Sequence, residues 1–266
     1  ASQEAFLRQH ASIDFFIPGE GEAPFLELAK RLLDTNFSKA ALRDLEGVHF
    51  IDSCNDLVNL PSPTARNADL SDMPSPYLMG LLDEFIDDGF QPIVQTSRGC
   101  PFSCSFCSEG DPYFSHVAHR PLSLVSRELH YIGVRMAPRV IEGKRADLFI
   151  ADSNFGMFSK DVEVGQILRE CHDKYNWPQF ISVATGKNKK ENVIETARLV
   201  RGAIRLSGSV QTLDGEVLAN IRRKNVASDQ LLDIAAASKS LGANTYSEII
   251  VALPGQTAES YRETVS

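Results

Sequence analysis

The sequence predicts an α/β fold in which a parallel sheet is covered by helices, and three observations support this prediction. Apolar, β-branched segments recur along the chain, and most are followed by a segment with helical periodicity. Five such strand–helix units follow a proline-rich stretch, which suits an open α/β barrel or a doubly wound sheet. Three closely spaced cysteines follow the first of these strands, at the sheet edge where such folds bind ligands.

The first ninety residues are predicted to form a helix, a hairpin and a linker. The segment GEGEAPFLELAKRLLD has helical periodicity, and its apolar face is Phe25, Leu28, Ala29, Leu32 and Leu33. GVHFID and DLVNLP flank a short polar turn, which predicts a β-hairpin. Four prolines between residues 61 and 76 disfavour both helix and sheet, so this stretch is predicted to be a linker or a wrapping arm.

Strands and helices alternate after the linker. The predicted strands are PIVQTS, DLFIADS, QFISVAT, AIRLSGSV and YSEIIVALPG. The predicted helices are LSLVSRELHYIGVRM, SKDVEVGQILRECHDKY, ENVIETARLVR, DGEVLANIRR, SDQLLDIAAASKSLG and a last one after Pro254-Gly255. In either candidate architecture, ligands are expected at the carboxyl ends of the strands.

Composition and charge restrict the function classes. Lys and Arg number 27 against 35 Asp and Glu, a net charge of −8, which argues against nucleic acid because a phosphate backbone needs a basic surface. No apolar run approaches the roughly 20 residues of a membrane helix, so no membrane partner is expected. Five cysteines without a disulfide pattern favour the cytoplasm. Because the chain lacks an initial Met and ends within a predicted helix, we expect a fragment of a longer protein.

The cysteine cluster is the most specific signal in the chain. Cys100, Cys104 and Cys107 have the spacing C-x3-C-x2-C, and thiolates held this closely repel one another unless a metal neutralises them. Structural zinc requires a fourth ligand, and none of the candidates stands at a suitable spacing. Those candidates are His116, His119, Cys54 and Cys171. Three ordinary buried thiols fit poorly in a turn-rich loop. An iron–sulfur cluster is favoured, since three thiolates for four irons leave one iron open.

The context SRGCPFSCSFC, with Phe106 directly before the last cysteine, resembles the radical S-adenosylmethionine superfamily. It is most similar to the branch with cobalamin-binding or methylthiotransferase-like relatives. The resemblance covers residues 90–266, and the upstream motifs extend it over 10–90.

This resemblance implies a division of the chain into three parts. Residues 91–266 would form a partial (β/α)6-type radical SAM barrel that is truncated at its C-terminus. Residues 41–90 would be a hairpin and a proline-rich linker. Residues 1–40 would be the C-terminal remnant of a Rossmann-like cobalamin-binding domain.

The resemblance also implies the site residues. Cys100, Cys104 and Cys107 would bind a [4Fe-4S] cluster. The implied contacts to S-adenosylmethionine are Phe106, Asp152, Asn154, Gln211, Arg223, Ile250 and Leu253. In LFIADSNFGM, the acidic residue and the Asn would face the methionine or ribose end. In GSVQTLDGEVLANIRRKN, the Arg would reach the methionine carboxylate. In IIVALPGQTAESYRET, the apolar residues would flank the adenine, although Ala252 and Gln256 depart from the usual Gly and Glu.

The implied activity is reductive cleavage of S-adenosylmethionine to a 5′-deoxyadenosyl radical, which abstracts hydrogen from a small-molecule substrate. Cobalamin-dependent methylation in the full-length protein is one net reaction that this implies, and ring closures and rearrangements are others. A flavodoxin-type or ferredoxin-type protein would supply the electron. The alternative is a non-catalytic iron–sulfur or zinc module. No residue is identified for the chemical step on the substrate.

Overall fold

The structure is a computed structural model of the 266-residue chain, which divides into two compact units, Ala1–Asn67 and Ala68–Ser266. The residues that it describes are 2–61, 69–186, 188–204, 206, 207, 209–224, 236 and 245–266. Apart from residue 236, the predicted helix SDQLLDIAAASKSLG lies outside these residues. Within the described ranges, no helix is long and apolar enough to span a membrane.

The first unit combines two helices with a hairpin. Helix α1 spans Ser2–Gln9, α2 spans Glu22–Asp34, and a 3₁₀ turn spans Lys39–Leu42. Strand β1 (His49–Ile51) pairs antiparallel with β2 (Leu57–Asn59), which confirms the predicted hairpin.

The core of the first unit lies between α2 and the hairpin. Its buried members are Leu28, Leu42, Leu45, Val48 and Phe50. On the predicted apolar face of α2, Leu28 is buried, but Phe25 and Leu33 are 62% and 70% exposed. Only part of the apolar face is therefore buried, because the core of this unit packs against Leu28 and Leu32 of the helix.

The second unit is a parallel sheet with helices, as the sequence predicts. Its strands are β3 (Ile93–Val94), β4 (Ser97–Arg98), β5 (Ala118–His119), β6 (Leu148–Phe155), β7 (Ile181–Thr185), β8 (Leu206–Ser207) and β9 (Thr245–Tyr246). Its helices are α3 (Asp83–Asp87), α4 (Leu122–Ile141), α5 (Ser159–Tyr175), α6 (Lys190–Leu199), α7 (Gly215–Asn220) and α8 (Ala258–Val265). Two 3₁₀ turns, Ser108–Gly110 and Pro112–Phe114, lie in the cysteine loop.

Parallel pairs join β3, β6 and β7 into one sheet and β8 to β9. Strand β6 pairs in parallel with β3 on one side and with β7 on the other, and β8 pairs in parallel with β9. A parallel bridge between Ile181 and Ile204 joins β7 to the segment before β8. All five predicted strand segments therefore contribute parallel pairs, and their carboxyl ends lie at one edge of the sheet.

Helices α4, α5 and α6 cover the sheet as neighbours, with α5 in contact with both of the others. The largest fully buried side chains of this core are Leu129, Ile132, Met136, Leu148, Ile150, Phe155, Leu168, Trp177 and Ile181. These side chains come from the β3–β6–β7 sheet, from the helices that cover it and from their connections. One continuous apolar core therefore lies beneath the carboxyl ends of these strands.

The proline-rich arm ends against the edge strand β3. The Tyr77 hydroxyl donates to the Ile93 carbonyl over 2.8 Å and accepts from the Ile93 amide over 2.9 Å. Tyr131 of α4 donates to Asp83 over 2.7 Å. The residues that follow the arm are therefore fixed to the sheet edge through Tyr77 and to α4 through Asp83.

Strands β4 and β5 close the cysteine loop. Ser97 pairs with His119 and Arg98 pairs with Ala118 in antiparallel register. Residues 99–117 therefore leave the carboxyl edge of the sheet and return to it at the same place. This closure positions the three cysteines above the ends of the parallel strands.

Candidate functional site

Backbone hydrogen bonds fold the cysteine loop into consecutive tight turns. The Cys107 amide donates to the Cys104 carbonyl over 3.1 Å, and the Gly110 amide donates to the Cys107 carbonyl over 3.0 Å. The Cys100 amide donates across the loop to the Phe114 carbonyl over 2.9 Å. Cys104 is buried, Cys100 is half-buried and Cys107 is exposed. The loop is therefore ordered by its own backbone, with one thiol at the surface.

Gly110 is required by the close approach of these turns. A Cβ atom at this position would lie 2.1 Å from the Cys104 carbonyl oxygen, well inside any real contact distance. The obstacle is backbone, which cannot rotate away as a side chain can. Sequence reasoning missed this residue, although a glycine three positions after the last cysteine is a visible signal.

Asn154 contacts the first cysteine from the end of β6. Its side-chain amide donates a hydrogen bond to Cys100 Sγ at 3.2 Å, and the residue is 4% exposed. The resemblance assigned Asn154 to the methionine or ribose end of S-adenosylmethionine. In the structure its amide is directed at a cysteine sulfur.

Arg223 joins the cysteine loop to the end of the segment that follows β8. Its guanidinium donates to the Ser209 carbonyl and lies 5.9 Å from the centroid of the Phe106 ring. Burial lowers the pKa of Arg223, and a hydrogen bond with Cys104 raises it. The residue is 5% exposed. A buried cation therefore lies beside the loop thiols, where it offsets the negative charge of thiolates.

Asp152 fixes the start of the loop. Its carboxylate accepts from the Thr96 amide at 2.8 Å and from the Thr96 and Ser97 hydroxyls at 2.5 and 2.9 Å. Burial raises the pKa of Asp152, and these hydrogen bonds act in the opposite direction. The carboxylate therefore ties the end of β6 to the segment that leads into β4. Thr96 and Ser97 were not singled out by the sequence.

A second buried carboxylate begins α5 next to Asp152. Asp161 accepts from the Phe158 amide over 2.9 Å and is 1% exposed. Burial raises its pKa to about 7, and the charge of Asp152 contributes to this shift. Within the described residues, the buried Asp161 Oδ1 atom has no hydrogen-bond partner.

Gln211 lies at the carboxyl end of the β8 segment in an unusual backbone conformation. Its φ angle is 64°, its carbonyl accepts from the Ile250 amide over 3.0 Å, and its side chain is 6% exposed. Within the described ranges, its Oε1 atom is buried without a hydrogen-bond partner. A buried amide oxygen of this kind is a suitable acceptor for a bound polar ligand, since leaving it unpaired costs free energy.

Ile250 and Leu253 pack against α7. Leu253 is buried with Val217 and Ile221, and Ile250 contacts the same cluster. The resemblance placed both residues beside the adenine. In the structure they support the end of α7, whose Ile221 carbonyl accepts a hydrogen bond from the Ser105 amide in the cysteine loop over 3.0 Å.

A cavity of about 220 Å³ opens beside Cys104. The loop residues Pro101 and Phe102 form an apolar part of its wall. Three consecutive cations, Arg222, Arg223 and Lys224, contribute to the lining. In a chain with a net charge of −8, this local basic lining favours an anionic group.

The remaining two cysteines belong to other elements of the chain. Cys171 is buried in α5, with its sulfur 3.7 Å from His130 Nδ1, and burial raises the pKa of this thiol to about 12. Cys54 lies in the first unit. The buried position of Cys171 agrees with a structural thiol, whereas Cys54 is exposed.

The donor chemistry of the loop fits an iron–sulfur cluster. Three thiols lie on one tight loop, an amide N–H is directed at one sulfur, and a guanidinium lies beside another. Among the described residues, no three His, Cys, Asp or Glu side chains are grouped to hold a single metal ion. In a cluster each thiolate binds a different iron, so the three sulfurs need not converge on one point as the ligands of a single ion must.

The predicted site residues therefore fall into two groups, those that lie beside a loop cysteine and those that support the site from further away. Asn154 contacts Cys100, while Arg223 and Phe106 lie with Cys104. Asp152, Ile250 and Leu253 support the site through other side chains or backbone.

Comparison with known proteins identifies related sequences. The family model described as "Radical SAM superfamily" matches residues 94–266 of the chain. A cobalamin-dependent radical SAM methyltransferase, TokK of Streptomyces tokunonensis, is 31% identical over 98% of this chain and 38% of its own length. The 2-(S-pantetheinyl)-carbapenam-3-carboxylate methyltransferase of Streptantibioticus cattleyicolor is 28% identical over the same shares.

Solved structures share the fold. The radical S-adenosylmethionine methyltransferase TsrM from Kitasatospora setae matches 99% of this chain and 51% of its own, with a TM-score of 0.68 and 17% identity. The cobalamin-dependent enzyme OxsB, with aqua-cobalamin and S-adenosylmethionine bound, matches 99% of this chain and 37% of its own, with a TM-score of 0.63 and 18% identity. The chain thus spans about two fifths of the length of the two curated relatives.

Proposed function

The chain belongs to the radical SAM superfamily, and from this premise we propose that it carries the catalytic core of a cobalamin-dependent radical SAM methyltransferase. A [4Fe-4S] cluster is held by Cys100, Cys104 and Cys107. S-adenosylmethionine binds at the same edge of the sheet. When bound, the cluster would supply the electron for the reductive cleavage of S-adenosylmethionine.

The observation that supports this proposal most strongly is the location of the three thiols. They lie on a loop that leaves and re-enters the carboxyl edge of a parallel sheet, where α/β folds bind their ligands. The loop is closed by two residue pairs between β4 and β5 and by the Cys100–Phe114 backbone hydrogen bond. Three thiolates leave one iron of a four-iron cluster without a protein ligand, and that iron is the binding position for the cofactor.

The chain's own residues orient the cofactor. The buried Oε1 of Gln211 offers an acceptor at the end of β8, and the basic lining of the cavity beside Cys104 favours the carboxylate of a bound methionine group. Pro101 and Phe102 reduce access of water to that cavity. Holding the cofactor in a fixed position beside the cluster site converts a bimolecular step into an effectively unimolecular one.

The net reaction is methylation of a small molecule. Both curated relatives are named as methyltransferases, and one of them is named as cobalamin-dependent. Residues 1–40 then form the C-terminal remnant of a cobalamin-binding-like domain, and residues 41–90 form the hairpin and linker before the barrel. The electron donor is a flavodoxin-type or ferredoxin-type protein. All five cysteines lie among the described residues and none of them is in a disulfide, which suits the reducing cytoplasm.

The test uses the full-length protein after anaerobic reconstitution with iron and sulfide. With dithionite, the protein is expected to bind about four irons and to release 5′-deoxyadenosine from S-adenosylmethionine, and methyl-labelled S-adenosylmethionine should label cobalamin. Cys104→Ala should abolish both reactions, whereas Cys171→Ala should retain them. A colourless protein with one tightly bound zinc would overturn the proposal in favour of the non-catalytic module.

A further inference from the structure

Asn154 is held rigidly at the carboxyl end of β6. The Met157 amide donates to its carbonyl over 3.3 Å, and Gly186, just after β7, lies so close that a Cβ there would be 3.0 Å from the Asn154 carbonyl oxygen and 2.5 Å from Met157 Cβ. The side chain is 4% exposed. Its amide therefore has little freedom to turn away from Cys100 Sγ, which it contacts at 3.2 Å.

We propose that Asn154 is a positioning residue that raises the reduction potential of the cluster through its N–H···S hydrogen bond to Cys100. This inference rests on the proposed function, because it requires the cluster. It assigns Asn154 to the cluster rather than to S-adenosylmethionine, which the resemblance implied.

The physical reason is the charge of the reduced state. One-electron reduction adds a negative charge that is partly carried by the cysteine sulfurs, so a donor directed at a sulfur stabilises the reduced form more than the oxidised form. The net contribution of a buried hydrogen bond reaches about 1.4 kcal/mol, which is a factor of ten in an equilibrium constant. The equilibrium constant for reduction should therefore change by up to about tenfold, which is about 59 mV for one electron.

The arrangement around the other cysteines supports this role. Arg223 hydrogen-bonds with Cys104, and Cys107 is exposed to solvent. The protein therefore provides N–H groups at two ligands, which come from two different strand–helix units. Asn154 is the uncharged one, so its removal alters hydrogen bonding without removing a charge.

The experiment measures the reduction potential of the reconstituted full-length protein without S-adenosylmethionine, by EPR at a series of poised potentials. Asn154→Leu removes the donor at similar size and should lower the potential by up to about 59 mV, the tenfold change. Asn192→Leu is the matched control, because Asn192 donates to the Met157 carbonyl over 3.1 Å in the same turn. It should leave the potential unchanged.

A second variant covers the case in which Asn154→Leu assembles no cluster. Asn154→Asp keeps the shape, removes the donor and adds a negative charge, so its potential should fall at least as far. Unchanged potentials in the variants that assemble would overturn the inference while leaving the proposed function intact. Tenfold weaker binding of S-adenosylmethionine at an unchanged potential would also overturn it and would return Asn154 to the cofactor contact. Failure of the wild-type protein to assemble a cluster would instead refute the proposed function.

Discussion

The Ser105 amide donates a hydrogen bond to the Ile221 carbonyl over 3.0 Å, and this contact ties the cysteine loop to the end of α7. Ile221 is fully buried against Val217 and Leu253. The apolar cluster of Val217, Ile221 and Leu253 therefore supports the position of the metal-binding loop, although the two are far apart in sequence.

The loop cysteines are expected to differ from the other two in iron binding. Cys100→Ala, Cys104→Ala and Cys107→Ala should each lose the cluster, because each removes one of three protein ligands. Iron and acid-labile sulfide per protein, measured after anaerobic reconstitution, report the result. Cys54→Ala and Cys171→Ala serve as controls and should bind iron as the wild type does. Unchanged iron content in Cys104→Ala would contradict the assignment.

Substitution of Gly110 should disrupt the loop specifically. In Gly110→Ala the new methyl group would meet the Cys104 carbonyl oxygen at 2.1 Å, so the turn between the last two cysteines must shift. Cluster content should fall several-fold. Gly215→Ala is the control, since a Cβ there meets nothing within 4 Å at the first position of α7. Equal iron content in the two variants would show that the tight turn does not matter for assembly.

Asp161 should make stability fall as the pH rises. Its pKa is raised by burial to about 7 in the folded protein, whereas an unfolded Asp titrates near 3.8. Between these values the folded state binds more protons, so wild type should lose stability relative to Asp161→Asn by about 1.4 kcal/mol per pH unit. Thermal unfolding midpoints of both proteins at pH 5 and pH 7 measure this difference.

Asp214→Asn is the control for that experiment. Asp214 caps α7, and the Val217 amide lowers its pKa below the ordinary value. Its stabilising effect is therefore present above the unfolded pKa of 3.8 and is lost only at lower pH. The difference between this variant and wild type should be the same at pH 5 and pH 7. A pH-independent difference for Asp161→Asn as well would refute the raised pKa.

Leu253 should contribute to stability through packing. It is 5% exposed, and Leu253→Ala would leave a cavity next to Val217 and Ile221, at a cost of about 2–5 kcal/mol. Leu213→Ala removes a side chain that is 55% exposed and should change stability by less than about 0.5 kcal/mol. Chemical denaturation of both variants provides the comparison. Equal losses would mean that the cluster under α7 is not a packing unit.

Elements with a strong local pattern could be predicted from the sequence. The predicted helix SKDVEVGQILRECHDKY corresponds to α5 from its first residue to its last, and the hairpin pairs as expected. Their apolar periodicity and turn residues are contained within a few positions, so no distant contact is needed to recognise them. The three cysteines belong to the same class, because their spacing alone marks them.

The partners of the strand-end residues could not be predicted. Asp152 and Asn154 were expected to face a cofactor, but Asp152 bonds to Thr96 and Ser97, and Asn154 bonds to Cys100. These contacts join residues more than fifty positions apart, and they depend on the register of β3 against β6. Periodicity identifies a strand, but it does not determine which neighbour its terminal side chain meets.

The antiparallel pairing of β4 with β5 makes residues 99–117 an insert whose two ends are anchored side by side on the sheet. A change in the number of residues inside this insert would be absorbed between its two anchored ends, and the register of the parallel strands below would stay the same. Exchange of the whole segment with that of a relative is thus a practical route to chimaeric proteins, in which the ligand loop varies on a constant scaffold.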